Sequence, residues 1–368
     1  MTTPEEQARK KIDINLKKAG WLIQSRDDFD RTAGLGVAVC EFLMDDGTEA
    51  DYLLFVDGKA CGVIEAKKSG ITLSGVENQS QGYAYHLPEY VKNWQRPLPF
   101  RYETSGDETY FCDGRDHICR SRKVFGFHTP QTLFDWLKDD NTLRNRLERI
   151  PPLNTDGLRK CQIEAIEGLE ASLSASQPRS LIQMATGAGK TFTACNFSYR
   201  LLKYAKAKRI LFLVDRNNLG RQTKKEFENF RLRDENRLFS EVYIAQHLQQ
   251  NIIDKDAKIV ITTIQRLYSM LCGEEEYSTE DEDVSAYELG ALGKPKEVCY
   301  NPKLPPEFFD FIITDECHRS IYGDWRQVLE YFDAFVIGLT ATPSKQTLGY
   351  FNKNIVAEYP YELSLIHI

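Results

Sequence analysis

Asp51, Glu65 and Lys67 are the right residue types for one piece of chemistry. Two carboxylates supply the hard oxygen ligands that Mg²⁺ prefers, and a bound ion activates water for attack on a phosphate. A lysine ammonium beside them stabilises charge on the attacked group or positions the nucleophile. The three lie within "DYLLFVDGKACGVIEAKKSG", residues 51–70, as an E-x-K triplet with the aspartate fourteen positions upstream. An E-x-K triplet is common by itself, and solvated strand-end charge is the plain alternative.

Geometry separates these readings. Two apolar runs flanking Asp57-Gly58 predict a β-hairpin. A plain two-residue turn pairs Val56 with Lys59 and Asp51 with Ile64, which points Asp51 away from Glu65 and Lys67. A shared ion requires a three-residue loop or a bulge that restores the register. The expectation is therefore a turn that is not the simple one. Downstream, Gln79 and Tyr83 in "QSQGYAY" have a Q-x-x-x-Y spacing that shares one helix face. Gln81 and Tyr85 have the same spacing, so either pair fits. Tyr83, Tyr85 and Tyr90 are of a type that stacks on bases, although tyrosines so spaced are more often packing residues.

A second constellation is "MATGAGKT", residues 184–191, between an apolar strand and a helical stretch. In the loop Thr186-Gly187-Ala188-Gly189, the glycines allow a tight turn that aims N–H groups at phosphate oxygens, aided by the helix N-terminus. Lys190 would reach the terminal phosphates and Thr191 would hold Mg²⁺. Met184 replaces the first glycine of the usual G-x-x-x-x-G-K-[ST] pattern, so a strict match fails. "IITDECHRS" sets Asp315 and Glu316 at a strand end, where ligands of open α/β sheets gather. Asp315 would complete the Mg²⁺ shell and Glu316 would polarise the attacking water.

These residues must be held by two different kinds of domain. Residues 1–148 read as an N-terminal helix, strands "GVAVCEFLM", "DYLLFV" and "ACGVIEA", and capped helices within "TPQTLFDWLKDDNTLRNRLERI". Residues 149–157, around "PPLNTDG", form the linker. From 158 to 368, continuous apolar strands such as "RILFLVD" and "AFVIGLTAT" alternate with amphipathic helices, the pattern of a parallel sheet covered on both faces. Residues 273–304, acidic and then rich in Pro and Gly, read as an insertion that loops out or is disordered.

Bulk properties add limits. No apolar run approaches a membrane span, and the N-terminus has no signal-peptide core, which argues against a membrane partner. The nine scattered cysteines fit reduced thiols in a cytoplasm. The net charge of −7 is carried by "EEEYSTEDED", residues 274–283, whose seven acidic residues leave the remainder neutral. Charge therefore does not exclude nucleic acid. "CDGRDHIC" offers Cys112, His117 and Cys119, too few ligands for a structural zinc.

"ATGAGKT", "DECH" and "LTATP" resemble motifs I, II and III of superfamily 2 helicases and translocases, in that order, across residues 155–360. "FLVDRNNLGRQ" and "ITTIQRL" resemble the intervening motifs. The resemblance implies a RecA-like P-loop NTPase domain that binds ATP and Mg²⁺. It implies that Gln162 contacts the adenine, and that His318 with Thr340, Ala341 and Thr342 couples nucleotide state to nucleic-acid grip. Combined with Asp51, Glu65 and Lys67, it extends to the D-(E/D)xK nuclease motif, with Gln79 and Tyr83 near the metal. Glu5 or Glu6 would be the acidic residue that some relatives use from the first helix.

The order nuclease, linker, motor, with "DFIITDECHRSIYGDWRQVLEYFDAFVIGLTATPSKQTLG", resembles the restriction (R) subunit of type I restriction–modification enzymes. That implies ATP-driven translocation of double-stranded DNA, Mg²⁺-dependent cleavage away from the recognition site, and methyltransferase and specificity subunits as partners. The alternative is a superfamily 2 helicase or remodeller whose N-terminal domain only binds DNA. Such motors need a second domain for the arginine finger. The chain reads as a fragment with little ATPase of its own, and its closing "LSLIHI" reads as non-native.

Overall fold

The computed structural model describes residues 4–67, 82–277, 297–315 and 325–360. The chain divides into two compact units, Met1–Thr142 with Pro302–Glu307, and Leu143–Asn301 with Phe308–Ile368. The helix Leu143–Leu147 thus belongs to the second unit, a few residues before the boundary the sequence suggests. The fold class is α/β in both units, but the two sheets are built differently.

The first unit carries a seven-stranded mixed sheet ordered β1 (Leu22–Gln24), β2 (Gly36–Leu43), β3 (Glu49–Val56), β4 (Lys59–Ala66), β5 (Phe100–Thr104), β6 (Thr109–Asp113) and β7 (Arg122–Val124). β2, β3 and β4 form an antiparallel meander, and β5 then joins β4 in parallel. Alternation along these strands sends Val37, Val39, Leu53, Phe55 and Val63 into one apolar cluster with Ala84 and Leu87. The helix Pro4–Lys18 buries Ile12 and Leu16, at the i, i+4 spacing of its apolar stripe. Thr129 caps the helix Pro130–Lys138 by accepting from the Thr132 N–H.

The β3–β4 connection corrects one expectation. Val56 pairs with Lys59, and Asp57 (φ 50) and Gly58 (φ 69) both have positive φ, so the turn is the simple two-residue type I′ turn. The register changes immediately afterwards. Phe55 pairs with Ala60, but Leu54 pairs with Gly62, leaving Cys61 as an extra residue. This β-bulge carries the register on to Tyr52–Ile64, so the next residues, Asp51 and Glu65, stand across from each other.

The second unit has an all-parallel sheet. Its strands are β8 (Arg179–Met184), β9 (Ile210–Val214), β10 (Ile244–His247), β11 (Ala257–Thr263), β12 (Phe311–Asp315), β13 (Phe335–Thr340) and β14 (Ile355–Tyr359). Their order is β10-β11-β9-β12-β13-β8-β14. β9 is buried at every residue, as expected for a strand covered on both faces. Around β8, the helices Lys160–Ser174 and Lys190–Lys203 contribute Ile166, Leu169, Ala194 and Phe197 to one large core.

A further expectation changes. Within the insertion, residues 297–304 are packed rather than looped out: Val298 and Leu304 are buried, and the Asn301 N–H donates to the Tyr331 hydroxyl at 3.0 Å. Apolar residues at its C-terminal end give that stretch something to bury. Cys112 and Cys119 are near each other, with a Cα–Cα separation of 6.3 Å, and the Arg101 guanidinium donates to both sulfurs. The tight loop after β6 folds these two side chains together.

Candidate nuclease and nucleotide sites

The bulge builds the first site. Asp51 is half-buried at the start of β3, and both its carboxylate oxygens are engaged. Oδ2 accepts from the Ala66 N–H at 2.8 Å, and Oδ1 accepts from the Arg9 guanidinium at 2.9 Å. Glu65 is only 6% exposed. Its Oε1 accepts from Lys67 Nζ at 2.7 Å, while Oε2 is buried with no hydrogen-bond partner among the described residues. Burial, opposed by Lys67 and reinforced by the Asp51 charge, holds the Glu65 carboxyl above the usual carboxylate range. The Tyr83 hydroxyl stands beside the same carboxylate, and its own pKa is pushed up to about 12, by burial first and Glu65 next.

An orphaned, buried carboxylate oxygen is costly unless something compensates it. A divalent cation would do so, and oxygen donors from Asp51 and Glu65 are the set that Mg²⁺ prefers. The residues therefore fit the ion. Among the described residues, no group of three or more His, Cys, Asp and Glu side chains converges on a metal-sized space. The candidate ion site thus rests on these two carboxylates.

Of the two Q-x-x-x-Y pairs, Tyr83 lies at the site, whereas Tyr85 is 59% exposed. Gln79 and Gln81 lie outside the described residues, as do the side chain of Glu5 and the whole of Glu316, Cys317 and His318. Sequence reasoning missed two residues. Arg9, on the first helix, ties Asp51 and Glu41 together through hydrogen-bonded ion pairs. Glu103, on β5, is in register with Glu65 across a parallel strand pair and is buried. An acidic residue at a strand end in "FRYETSG" was the available signal for Glu103.

The second site lies at the C-terminal edge of the parallel sheet. Gly187 (φ 82) and Gly189 (φ 90) occupy left-handed conformations between β8 and the helix Lys190–Lys203. L side chains rarely adopt such φ values, so the loop depends on glycine there. Gly189 is the N-cap, and its carbonyl accepts from the Thr193 N–H and hydroxyl. Lys190 and Thr191 open the helix, half-buried, while Thr186 is exposed and Ala188 buried. The first-turn N–H groups and the helix dipole form a ready anion site.

Gln162 is seated against this loop. Its Nε2 donates to the Ala188 carbonyl at 3.3 Å, and its Oε1 accepts from the Arg159 N–H at 3.0 Å. Both ends of the amide are thus engaged within the chain, where Gln162 braces the loop. Asp315 ends β12 and stands in register with Leu339 of β13, itself paired with β8. Parallel strands bring Asp315, the loop after β8 and Thr340-Ala341-Thr342 to the same edge. Thr340 is fully buried, its Oγ1 accepts from the Thr342 N–H, and the Ala341 carbonyl accepts from Gln183 at 3.3 Å. The loop geometry, with Lys190, Thr191 and Asp315 on one edge, fits a nucleotide triphosphate with its Mg²⁺.

Two family models match separate stretches of the chain. Residues 156–345 match the family model described as "Type III restriction enzyme, res subunit". Residues 31–137 match the second domain of the type I restriction enzyme EcoKI endonuclease subunit. The EcoKI endonuclease subunit of Escherichia coli strain K12 is 28% identical over 98% of the chain and 34% of that protein. The EcoAI endonuclease subunit of Escherichia coli is 30% identical over 80% of the chain and 33% of that protein. A solved fragment assigned to an HsdR subunit of a type I restriction enzyme from Vibrio vulnificus YJ016 is 25% identical. It covers 97% of this chain and 59% of that one, with a TM-score of 0.36. The chain spans about a third of the length of the curated relatives it matches. It belongs to the restriction-enzyme res-subunit family, and the relatives that match it across both units are endonuclease subunits of type I restriction enzymes.

Proposed function

We propose that this chain supplies the DNA-cutting centre and the first motor domain of a type I restriction enzyme. It acts in the cytoplasm with methyltransferase and specificity subunits that carry sequence recognition. One observation carries the nuclease half: the Cys61 bulge turns Asp51 towards Glu65, a buried carboxylate with one oxygen on Lys67 and the other facing Tyr83 without a well-formed hydrogen bond. Mg²⁺ at that pair would supply an activated water for phosphodiester hydrolysis. Asp51 and Glu65 hold the ion, Lys67 offsets charge on the attacked phosphate, and Arg9 with the Ala66 N–H keeps Asp51 in place. Tyr83, beside Glu65, keeps water and substrate oriented on that side.

For the motor half, Lys190 and the loop N–H groups grip the phosphates of ATP, and Thr191 and Asp315 hold its Mg²⁺. Glu316 polarises the attacking water, and His318 with Thr340, Ala341 and Thr342 conveys nucleotide state to bound double-stranded DNA. Cleavage then occurs away from the recognition site, because the motor draws DNA towards the complex before the nuclease acts.

The test uses the full-length subunit in its assembled complex, with plasmid cleavage and ATP hydrolysis measured side by side. Glu65→Ala is expected to abolish cleavage and leave ATP hydrolysis intact, and Lys190→Ala to abolish both. A Glu65→Ala complex that still cuts DNA would leave the N-terminal unit as a DNA-binding module of a helicase.

A further inference from the structure

The tyrosines of the first unit point to another site. Spacing suggests that they pack, yet Tyr90 is 81% exposed. It stands on the rim of a cavity of about 550 Å³, within the usual range for ligand sites. Beneath it Phe29 is half-buried, packed on the core rings of Phe55 and Phe42, with ring centroids 4.7 Å apart for Phe29–Phe55 and 6.3 Å apart for Phe42–Phe55. Arg26, Arg31 and Lys92 bring positive charge to a lining completed by Asp30, Thr32, Leu43 and Val91.

Those charges are available. Arg31 and Lys92 have no ion pair among the described residues, and Arg26 has only an exposed contact of 3.8 Å with Glu49. Asp30, the single carboxylate in the lining, has Oδ1 occupied by the Thr32 N–H and hydroxyl, at 2.8 and 2.6 Å. A net positive rim over aromatic faces is the composition that recognises an unstacked nucleic-acid strand: rings take the bases, cations take the phosphates. A duplex hides its base faces and would leave the aromatic faces unused. The position is also suitable. Phe29 packs on the same apolar cluster as Tyr83, and Phe42 pairs with Ala50, the residue before Asp51.

We propose that this cavity docks a single strand of DNA, with an unpaired base stacked on Tyr90 beside Phe29 and its flanking phosphates on Arg31 and Lys92. The purpose of such docking, to hold a strand for the Asp51–Glu65 centre, rests on the nuclease reading above; the docking itself does not. The test is therefore binding without cleavage: fluorescence anisotropy of a labelled single-stranded oligonucleotide with the full chain in EDTA, without nucleotide, over a salt series.

Tyr90→Ala is expected to weaken binding about tenfold, the effect of one lost base stack, and Tyr90→Phe to retain it. The Arg31→Ala, Lys92→Ala double variant is expected to reduce the slope of log affinity against log salt by about 1.4, from two lost phosphate contacts. Both changes fall on exposed side chains, and unaltered thermal unfolding will show that each variant folds. Unchanged binding and slope in these variants would overturn the proposal. Tyr90-dependent binding in a protein that never cuts DNA would keep this inference and remove only the nuclease reading.

Discussion

The two candidate sites of this chain are built by opposite means. The nucleotide site is made of backbone: a loop with two left-handed glycines, a helix N-terminus, and strand ends that a parallel sheet brings to one edge. The nuclease site is made of side chains on adjacent strands, and its assembly depends on one extra residue, Cys61, in a hairpin. A backbone site is local and reads directly from a short motif. A side-chain site on a sheet requires the register, because a one-residue slip sends every side chain to the other face.

If this contrast is right, substitutions should separate the sites in kind and in size. The largest effect is expected from Gly189→Ala. The new side chain would sit in a left-handed conformation, with its Cβ 2.6 Å from Gln162 Nε2. Backbone strain of about 1–3 kcal/mol corresponds to a loss of roughly five- to 150-fold in ATP hydrolysis. Cleavage by the assembled complex should fall with it, while strand binding in EDTA should stay. Full ATPase in this variant would show that the loop tolerates a side chain.

Arg9→Ala should have a smaller effect, confined to the nuclease. Arg9 is partly exposed, so its ion pair with Asp51 is worth about 0.2–1 kcal/mol, and the Ala66 N–H still holds that carboxylate. Plasmid cleavage should fall about two- to fivefold with ATP hydrolysis unchanged. A parallel loss of ATPase would break the separation of the two sites.

The smallest effect concerns stability. Burial raises the Glu65 pKa, so its ionised form is disfavoured in the folded state. The stabilising contribution of the protonated form is fully present below the ordinary glutamate pKa and is lost as pH rises through the raised folded value. Metal-free protein should therefore unfold more easily at pH 8 than the same protein with Glu65→Gln, by a few degrees, and the difference should shrink towards pH 5. Thermal unfolding in EDTA measures this. A Glu65→Gln variant that is less stable at pH 8 would mean that the Lys67 pair outweighs the cost of burial.

Residue types and order were enough to specify much of this protein. "MATGAGKT", the strand ends at Asp315 and Thr340, and the alternation of apolar strands with helices carry the α/β fold of the second unit, because each depends on contacts a few residues apart. The Asp51, Glu65, Lys67 triplet and the requirement for a bulge or a longer loop were also legible, since strand alternation is arithmetic. Tertiary structure decided between those options: the turn is the simple one, and a bulge at Cys61 resets the register. It alone brought in Arg9, Glu103 and the Tyr90 cavity, whose residues lie far apart in the chain. The physical reason is common to all three. Local propensity and periodicity are properties of a short segment, whereas register, burial and the company of distant side chains exist only once the sheet has formed.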